Sequence, residues 1–504
     1  MSIRHHRRQR RVCRAAALGV AAVLLAGAAQ AAATSAPTIP TRAVEPAACP
    51  IELPPSIAGR ARCGRLTVKE DRSRAGGRTV TTSFVVIGAA RPNGGRPPLL
   101  FVMGGNGSGL KLLRRQGALA ESLSQEDDVI FVDHRGSTPW GRPDMSCPQF
   151  DEGLDAAQPN VDPAQVEACR RHLDERLDVN LYGPQEAAQD LRDLRLAMGI
   201  SRWNVYGVSY GTTVAQRLLG LDAAAIAGIV LDGMWGVESN SAAEAFLIDP
   251  LLDLVDECAA APQCRGAFPD FERNLGRVAA ELERRPRRIG DARVSNVEYL
   301  ELIRIAMGDP GRRGLIPLAV ERSARGDHRV WARLRLPDEA PGAAGRDPAF
   351  TWPSSVCREE HAGRDDPGRQ LAARRAVPAA IRTGVRMGPQ ERWDWENFCA
   401  RMGFAVSPPA TLVAPRSDVP ALMLVGELDL VTPKTLSDHV TRSLSDARTV
   451  VFPSTGHFVL IQQPDCAGDL MRRFFANPAA PLDTRCVDAL PRTAWALSPP
   501  AGGS

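Results

Sequence analysis

The most restrictive feature of this 504-residue sequence is a pentapeptide with serine between two glycines, Gly207-Val208-Ser209-Tyr210-Gly211. The apolar residues before it predict a short buried strand, and the residues after it predict a helix. A serine at so tight a strand-to-helix turn would project its hydroxyl beyond the end of the strand. Both glycines suit the turn because a side chain at either position would strike the neighbouring backbone. An ordinary glycine-rich turn is the alternative, so partner residues elsewhere in the chain must decide.

Further apolar runs predict the other strands of a mostly parallel sheet with helices on both faces. Helical segments alternate with these runs, most clearly at 184–198, where apolar residues recur at helical spacing. The fold class is therefore α/β. The predicted strands are 99–103, 129–132, 204–206, 226–231, 421–425 and 449–452, preceded by β-rich stretches at 65–70 and 79–87.

The alternation of strands and helices stops between residues 235 and 418, where the sequence has helical character and many charged residues. We interpret this segment as a mainly helical cap inserted into the α/β core. The predicted organisation is a signal peptide at 1–31, a flexible lead-in at 32–48, the core at 49–234 and 419–490, the cap at 235–418 and a tail at 491–504.

The N-terminus has the composition of a secretory signal peptide. Six arginines precede an apolar run at 15–29, and Ala29-Gln30-Ala31 forms a cleavage site. The apolar run is too short for a comfortable membrane span, so we predict cleavage and a secreted or periplasmic protein, with an uncleaved anchor as the alternative. Loss of these arginines would turn the net charge of +4 weakly negative, which argues against a nucleic-acid partner.

The cysteine count agrees with export. Ten cysteines remain beyond Cys13, which lies in the predicted signal peptide, and an even number suits an oxidising compartment. The sequence contains no Cys-x-x-Cys pair, so we predict no zinc site, and we predict no other cofactor. Short loops favour five disulfides between neighbours: Cys49–Cys63, Cys147–Cys169, Cys258–Cys264, Cys357–Cys399 and Cys466–Cys486.

Two later strands end in candidate partners for the serine. A serine nucleophile needs a general base and an acid that orients the base. Ser209, Asp429 and His457 each follow an apolar strand, in the order serine, acid, histidine that is typical of α/β hydrolases. We therefore predict these three as catalytic residues. Asp232 also follows a strand and is the alternative acid.

An oxyanion formed on the substrate would need two N–H donors. Tyr210 directly follows the serine and begins the predicted helix, so its N–H is one candidate. The glycine-rich loop after strand 99–103 offers the second, with Gly105 favoured over Asn106 because glycine allows backbone to approach a substrate closely.

Together these motifs resemble the secreted α/β-hydrolase peptidases related to prolyl aminopeptidase, and most closely the tripeptidyl aminopeptidase group. The similarity covers about residues 49–487 and departs at Asn106, where the family usually has proline, and at His134, where it usually has glutamine. The motifs that carry the resemblance are Gly104-Gly105-Asn106-Gly107, Asp133-His134-Arg135-Gly136-Ser137, residues 206–212, Gly426-x-x-Asp429-x-x-Thr432-Pro433, Gly456-His457 and Cys486.

The resemblance implies a serine exopeptidase with an α/β-hydrolase fold that releases short peptides from free N-termini. Such an enzyme needs a carboxylate for the substrate ammonium, and Glu359 or Glu360 is the candidate because Cys357-Arg358-Glu359-Glu360 is similar to the family's Cys-x-Glu element. The expected partner is a peptide or a small acyl substrate. An esterase or other acyl hydrolase on the same scaffold is the second hypothesis, and a non-catalytic binding protein is the third.

Overall fold

The computed structural model describes residues 44–498 except 93, 106, 139, 151–161, 238–242, 290–291, 335–350, 361–374 and 387–394. The predicted signal peptide, most of the predicted lead-in and Asn106 lie outside these residues. The strands are β1 (Val44–Pro46), β2 (Ala61–Lys69), β3 (Thr79–Ile87), β4 (Leu99–Val102), β5 (Val129–Val132), β6 (Trp203–Ser209), β7 (Ile226–Met234), β8 (Arg287–Ile289), β9 (Ala292–Val294), β10 (Ala421–Gly426) and β11 (Ala447–Phe452).

Helices follow most of the strands. They are α1 (Pro55–Ala58), α2 (Gly109–Arg115), α3 (Gly117–Leu123), α4 (Pro163–Asp174), α5 (Pro184–Ala197), α6 (Tyr210–Asp222), α7 (Ala243–Ala260), α8 (Pro262–Ala267), α9 (Phe271–Arg284), α10 (Asn296–Met307), α11 (Pro310–Arg313), α12 (Ile316–Ala324), α13 (Trp331–Leu334), α14 (Thr351–Ser355), α15 (Ala379–Arg386), α16 (Trp395–Met402), α17 (Lys434–Thr441), α18 (Val459–Gln462), α19 (Pro464–Ala476) and α20 (Arg485–Asp488). A π-helical turn, Val356–Glu360, lies between α14 and α15.

Within the described residues, nine strands form one sheet in the order β1-β2-β3-β5-β4-β6-β7-β10-β11. From β5 to β11 all neighbouring strands are parallel, whereas β1, β2 and β3 pair in antiparallel fashion and β3 is antiparallel to β5. The predicted mostly parallel α/β sheet is therefore confirmed. Because parallel strands point the same way, β4, β6, β7, β10 and β11 end at one edge of the sheet, where their loops meet.

Helices cover both faces of this sheet. Alternate residues of a strand point to opposite faces, so Val205 joins the apolar cluster beneath α5 and α6, and Tyr206 joins the cluster beneath α2, α3 and α19. The central strands are buried on both faces, which is why their sequences are continuous apolar runs instead of alternating patterns.

The chain between β7 and β10 contains α7 to α16 and the hairpin β8–β9. Helices α7, α9, α10, α12 and α15 enclose an apolar cluster of their own. The π-helical turn and α16 instead pack into the cluster of the central sheet through residues such as Val356 and Phe398. The predicted cap segment therefore consists of one part with its own core and one part that shares the core of the sheet.

Five disulfides join the cysteines in the pairs that the loop lengths predict. They are Cys49–Cys63, Cys147–Cys169, Cys258–Cys264, Cys357–Cys399 and Cys466–Cys486. The Cys357–Cys399 bridge ties the π-helical turn to α16 across 42 residues. Among the described helices, none has the length and the apolar composition needed to cross a membrane.

Candidate active site

Ser209 is the last residue of β6, and Tyr210 is the first residue of α6. The serine has φ 55° and ψ −128°, a conformation that non-glycine residues rarely adopt. The flanking glycines allow the sharp turn. A Cβ atom on Gly207 would lie 2.8 Å from the carbonyl oxygen of Gly211, and one on Gly211 would overlap the carbonyl oxygen of Val102. The predicted strand–serine–helix turn is therefore present, with its strain concentrated at the serine.

The glycine-rich loop after β4 passes directly against Ser209. A Cβ atom on Gly104 would lie 2.6 Å from the serine Cβ and 3.3 Å from its Oγ. Gly105 follows with φ 57°, which favours glycine. Tyr210 supplies the first N–H group of α6, so the candidate oxyanion donors Tyr210 and Gly105 lie in the two segments that meet at the serine. The other candidate, Asn106, lies outside the described residues.

Asp133 holds the glycine-rich loop in place. One carboxylate oxygen accepts hydrogen bonds from Ser108 Oγ at 2.9 Å and from Leu110 N at 3.1 Å. The other accepts from Thr138 Oγ1 and from Trp140 Nε1. Burial raises the pKa of Asp133 to about 6, against the lowering effect of these hydrogen bonds. The motif at 133–137 identifies Asp133 but does not predict this supporting role.

His134, where the sequence departs from the resembled family, lies against the same loop. A Cβ atom on Gly107 would overlap its ring, and the ring centre is 5.8 Å from that of Tyr210. Burial lowers the pKa of His134 to about 4, so the imidazole is neutral at physiological pH. Neither ring nitrogen has a hydrogen-bond partner among the described residues.

Asp429 and His457 come together after β10 and β11. Asp429 Oδ2 lies 2.9 Å from His457 Nδ1 and accepts a hydrogen bond from Thr432 Oγ1 at 2.7 Å. Its Oδ1 accepts from the backbone N–H groups of Val431 and Thr432, both at 2.8 Å. The side chain is 1% exposed, and both of its oxygens are hydrogen-bonded. Thr432 was not predicted to orient the acid, although an aspartate that folds back onto residues two and three positions later is a common turn signal.

The environment of His457 favours the protonated imidazole. Burial disfavours the charged ring, but the negative charge and hydrogen bond of Asp429 outweigh it, so the pKa of His457 is raised above its ordinary value. A quarter of the side chain remains exposed. Ser209 pairs with Met234 on the adjacent strand, and the neighbouring Gly233 lies against the His457 ring, which brings serine and histidine to the same edge of the sheet.

Asp232, the alternative acid, has different partners. Its carboxylate accepts hydrogen bonds from the backbone N–H groups of Val459 and Leu460, both at 2.9 Å, and from Tyr206 Oη at 2.7 Å. Burial raises the pKa of Asp232 to about 6. The imidazole of His457 is therefore hydrogen-bonded to Asp429, and Asp232 contacts the helix that follows the histidine.

Glu359, a candidate for binding a substrate ammonium, already has a cationic partner. Its carboxylate lies 3.2 Å from the Arg217 guanidinium, and the two side chains are only 7% and 8% exposed. Arg217 lies eight residues beyond Ser209 on α6, a rise of about 12 Å along the helix. Glu359 therefore belongs to a buried ion pair, and its role as an ammonium ligand stays a prediction. The side chain of Glu360 lies outside the described part of the structure.

The structure offers no ready metal site in the ranges it describes, since no three His, Cys, Asp or Glu side chains there cluster as metal ligands. The arrangement instead has the parts of a nucleophilic site: a strained serine, an imidazole and a buried carboxylate. With Asp429 accepting a hydrogen bond from Nδ1, the Nε2 atom of His457 has a lone pair that can accept a proton.

Two family models match the chain. The model described as alpha/beta hydrolase fold matches residues 97–256, which include the glycine-rich loop and Ser209. The model described as TAP-like protein matches residues 387–486, which include Asp429 and His457. No curated protein matches the sequence.

Solved structures similar to the chain have low sequence identity. A thermophilic esterase from Thermogutta terrifontis is 16% identical with a TM-score of 0.36, over 82% of this chain and 99% of the esterase. A meta-cleavage product hydrolase from Pseudomonas fluorescens IP01 is 15% identical with a TM-score of 0.35, over 80% and 96%. Proline iminopeptidase from Mycobacterium smegmatis is 15% identical with a TM-score of 0.34, over 79% and 95%.

Proposed function

Because the chain has the α/β-hydrolase fold, we propose that it is a serine hydrolase in which Ser209, His457 and Asp429 form the catalytic triad. The observation that carries this proposal is the 2.9 Å contact between His457 Nδ1 and Asp429 Oδ2, at the sheet edge where Ser209 stands in a strained turn. Strained backbone of this kind clusters at active sites.

In the proposed reaction, His457 accepts the Ser209 proton while the serine oxygen attacks the substrate carbonyl. The oxyanion that forms is stabilised by the N–H groups of Tyr210 and Gly105. The imidazolium then protonates the leaving group, which leaves an acyl-enzyme on Ser209. A water molecule, deprotonated by His457, hydrolyses that ester. Asp429 keeps Nδ1 protonated and stabilises the imidazolium throughout.

We propose a peptide substrate with a free N-terminus. The match of residues 387–486 to the TAP-like model and the motif resemblance to tripeptidyl aminopeptidases support this assignment. We also propose that the protein is exported after removal of residues 1–31, since five disulfides suit an oxidising compartment. We propose that the segment 235–418 forms the cap of the α/β core.

One observation favours the alternative of an esterase or other acyl hydrolase. The carboxylate of Glu359 is paired with Arg217 inside the protein, so one of the two predicted ammonium ligands is occupied. An acyl hydrolase needs no ammonium-binding carboxylate, and the same triad would serve it.

A substrate panel separates the two functions. Aminoacyl-, dipeptidyl- and tripeptidyl-arylamides with free or acetylated N-termini are compared with simple acyl esters by kcat/KM. For a peptidase of the proposed kind, we expect kcat/KM to be about 10- to 150-fold higher on free arylamides than on acetylated ones. This range corresponds to roughly 1.5–3 kcal/mol for a hydrogen bond to a charged group. Equal rates on both arylamides with faster ester cleavage would identify an esterase. The S209A variant is the control and should lose turnover and labelling by a fluorophosphonate.

A further inference from the structure

We propose that Asp232 is a positioning residue for His457, holding the backbone of the histidine loop through its carboxylate while the adjacent Gly233 supports the imidazole ring. This inference rests on the proposed function of His457 as the general base. It assigns a separate task to each of the two acids that follow strands of the sheet, Asp429 and Asp232.

The contacts of Asp232 fall immediately after the histidine. Phe458 has φ 67° and ψ 72°, so the chain turns sharply between His457 and α18. The next two N–H groups, of Val459 and Leu460, both donate to the Asp232 carboxylate at 2.9 Å. Helix α18 has four residues, too few to be stable alone, so its first turn needs such an external acceptor.

Gly233 provides the second contact. A Cβ atom there would lie 2.9 Å from His457 Cε1, from His457 Nδ1 and from Thr432 Oγ1. The backbone of Gly233, at φ 59°, therefore forms a wall against the ring edge that faces Asp429. Asp232 and Gly233 thus restrain the main chain and the ring of His457, respectively. Any larger residue at position 233 would displace the ring.

The sheet makes Asp232 a rigid anchor. It lies on β7 between Val208 of β6 and Leu424 of β10, the strands that lead to Ser209 and to Asp429. Its side chain is fully buried, and Tyr206 Oη donates to it at 2.7 Å. The buried carboxylate of Asp232 therefore connects the histidine loop to β7, the strand that lies between those leading to Ser209 and Asp429.

Asp232 also interacts electrostatically with His457. The titratable groups that face Asp232 are Tyr206 and His457, and the negative charge of Asp232 contributes to the raised pKa of His457. The hydrogen bond from Tyr206 lowers the pKa of Asp232 relative to the effect of burial alone. The pH dependence of turnover therefore reports on the charge state of Asp232, which a measurement of thermal stability alone does not.

The test compares the pH profiles of D232N and Y206F with that of the wild type. An asparagine has one oxygen, so one of the two N–H groups loses its acceptor. We expect kcat/KM to fall by up to about 100-fold, the loss that a displacement of a catalytic group by roughly 1 Å can cause. Because the negative charge is gone, the pKa of His457 falls and the acid limb of D232N moves to lower pH. Circular dichroism and Tm establish that both variants are folded.

Y206F is the matched control. It keeps the carboxylate and both N–H contacts, so we expect kcat/KM within about 3-fold of wild type at pH 9. Loss of the phenol raises the pKa of Asp232, and protonation of the carboxyl removes both a hydrogen-bond acceptor and the negative charge near His457. The positioning role predicts that loss of the acceptor dominates, so the acid limb of Y206F moves to higher pH, whereas a purely electrostatic role predicts a shift to lower pH. Shifts in opposite directions support the proposal. If D232N does not fold, the Y206F profile decides alone, and an unmoved acid limb overturns the proposal.

The S209A variant separates the failure of this inference from the failure of the proposed function. Loss of turnover in S209A with wild-type behaviour in D232N would overturn the positioning role alone. Rate losses in D232N and Y206F with unmoved acid limbs would likewise reduce Asp232 to a structural residue. Turnover that survives in S209A would overturn the proposed triad, and with it any role for Asp232 in positioning its base.

Discussion

Removing the Glu359 carboxylate tests whether this side chain stabilises the fold or binds substrate. In the structure it pairs with Arg217 at 3.2 Å, and both side chains are more than nine-tenths buried. Burial raises the pKa of Glu359 despite the opposing charge of Arg217, so attraction within the pair does not fully offset the loss of hydration. The pair links α6 to the π-helical turn, and we expect it to contribute little net stability.

Two substitutions should consequently have very different effects. E359L leaves Arg217 charged and buried without its carboxylate partner, which typically costs about 3–5 kcal/mol of unfolding free energy. R217M/E359L replaces the whole pair with apolar side chains, and such replacements are often neutral or stabilising by roughly 1–4 kcal/mol. The double variant should therefore be more stable than E359L and about as stable as the wild type.

Urea-unfolding midpoints of the wild type, E359L, R217M and R217M/E359L give the coupling between the two residues. Activity is measured on E359Q, which keeps the shape of the side chain, using free and acetylated arylamides. We expect their ratio of kcat/KM to match the wild type. A ratio of kcat/KM values that falls by about 10- to 150-fold would show that Glu359 binds the substrate ammonium and would refute our expectation that its role is confined to the pair with Arg217.

Three further results are expected. D429N should lower kcat about 10⁴-fold if the serine-protease template applies. T432V removes one of the hydrogen bonds to Asp429 and should lower kcat much less. Equal losses in the two variants would contradict the assignment of Asp429 as the acid. The acid limb of kcat/KM should have an apparent pKa above about 6.5, since His457 must be neutral to act and its pKa is raised; a limb well below 6 would contradict this. Thiol titration of the unfolded, unreduced mature protein should find no free thiol, and two or more would contradict the five disulfides.

The features that the sequence predicted are those that depend on neighbouring residues or on short loops. Buried parallel strands need continuous apolar runs, so the strands around the site could be found from composition and spacing alone. The turn at Ser209 requires small residues on both sides, which makes it visible as a pentapeptide. Disulfide pairs separated by 6 to 42 residues follow from the low entropy cost of closing short loops.

The features that only the tertiary structure decided depend on contacts between distant segments. Asp232 and Asp429 both follow apolar strands, and the sequence favours Asp429 as the acid without showing what Asp232 contacts. Strand order and the path of the histidine loop place one carboxylate at the imidazole of His457 and the other at the helix behind it. The partner of Glu359 lies 142 residues away on α6, so its burial and pairing could not be read from the charged segment around it. Secondary structure follows from local patterns, whereas the chemical role of a carboxylate is set by the groups that folding brings within a few ångströms of it.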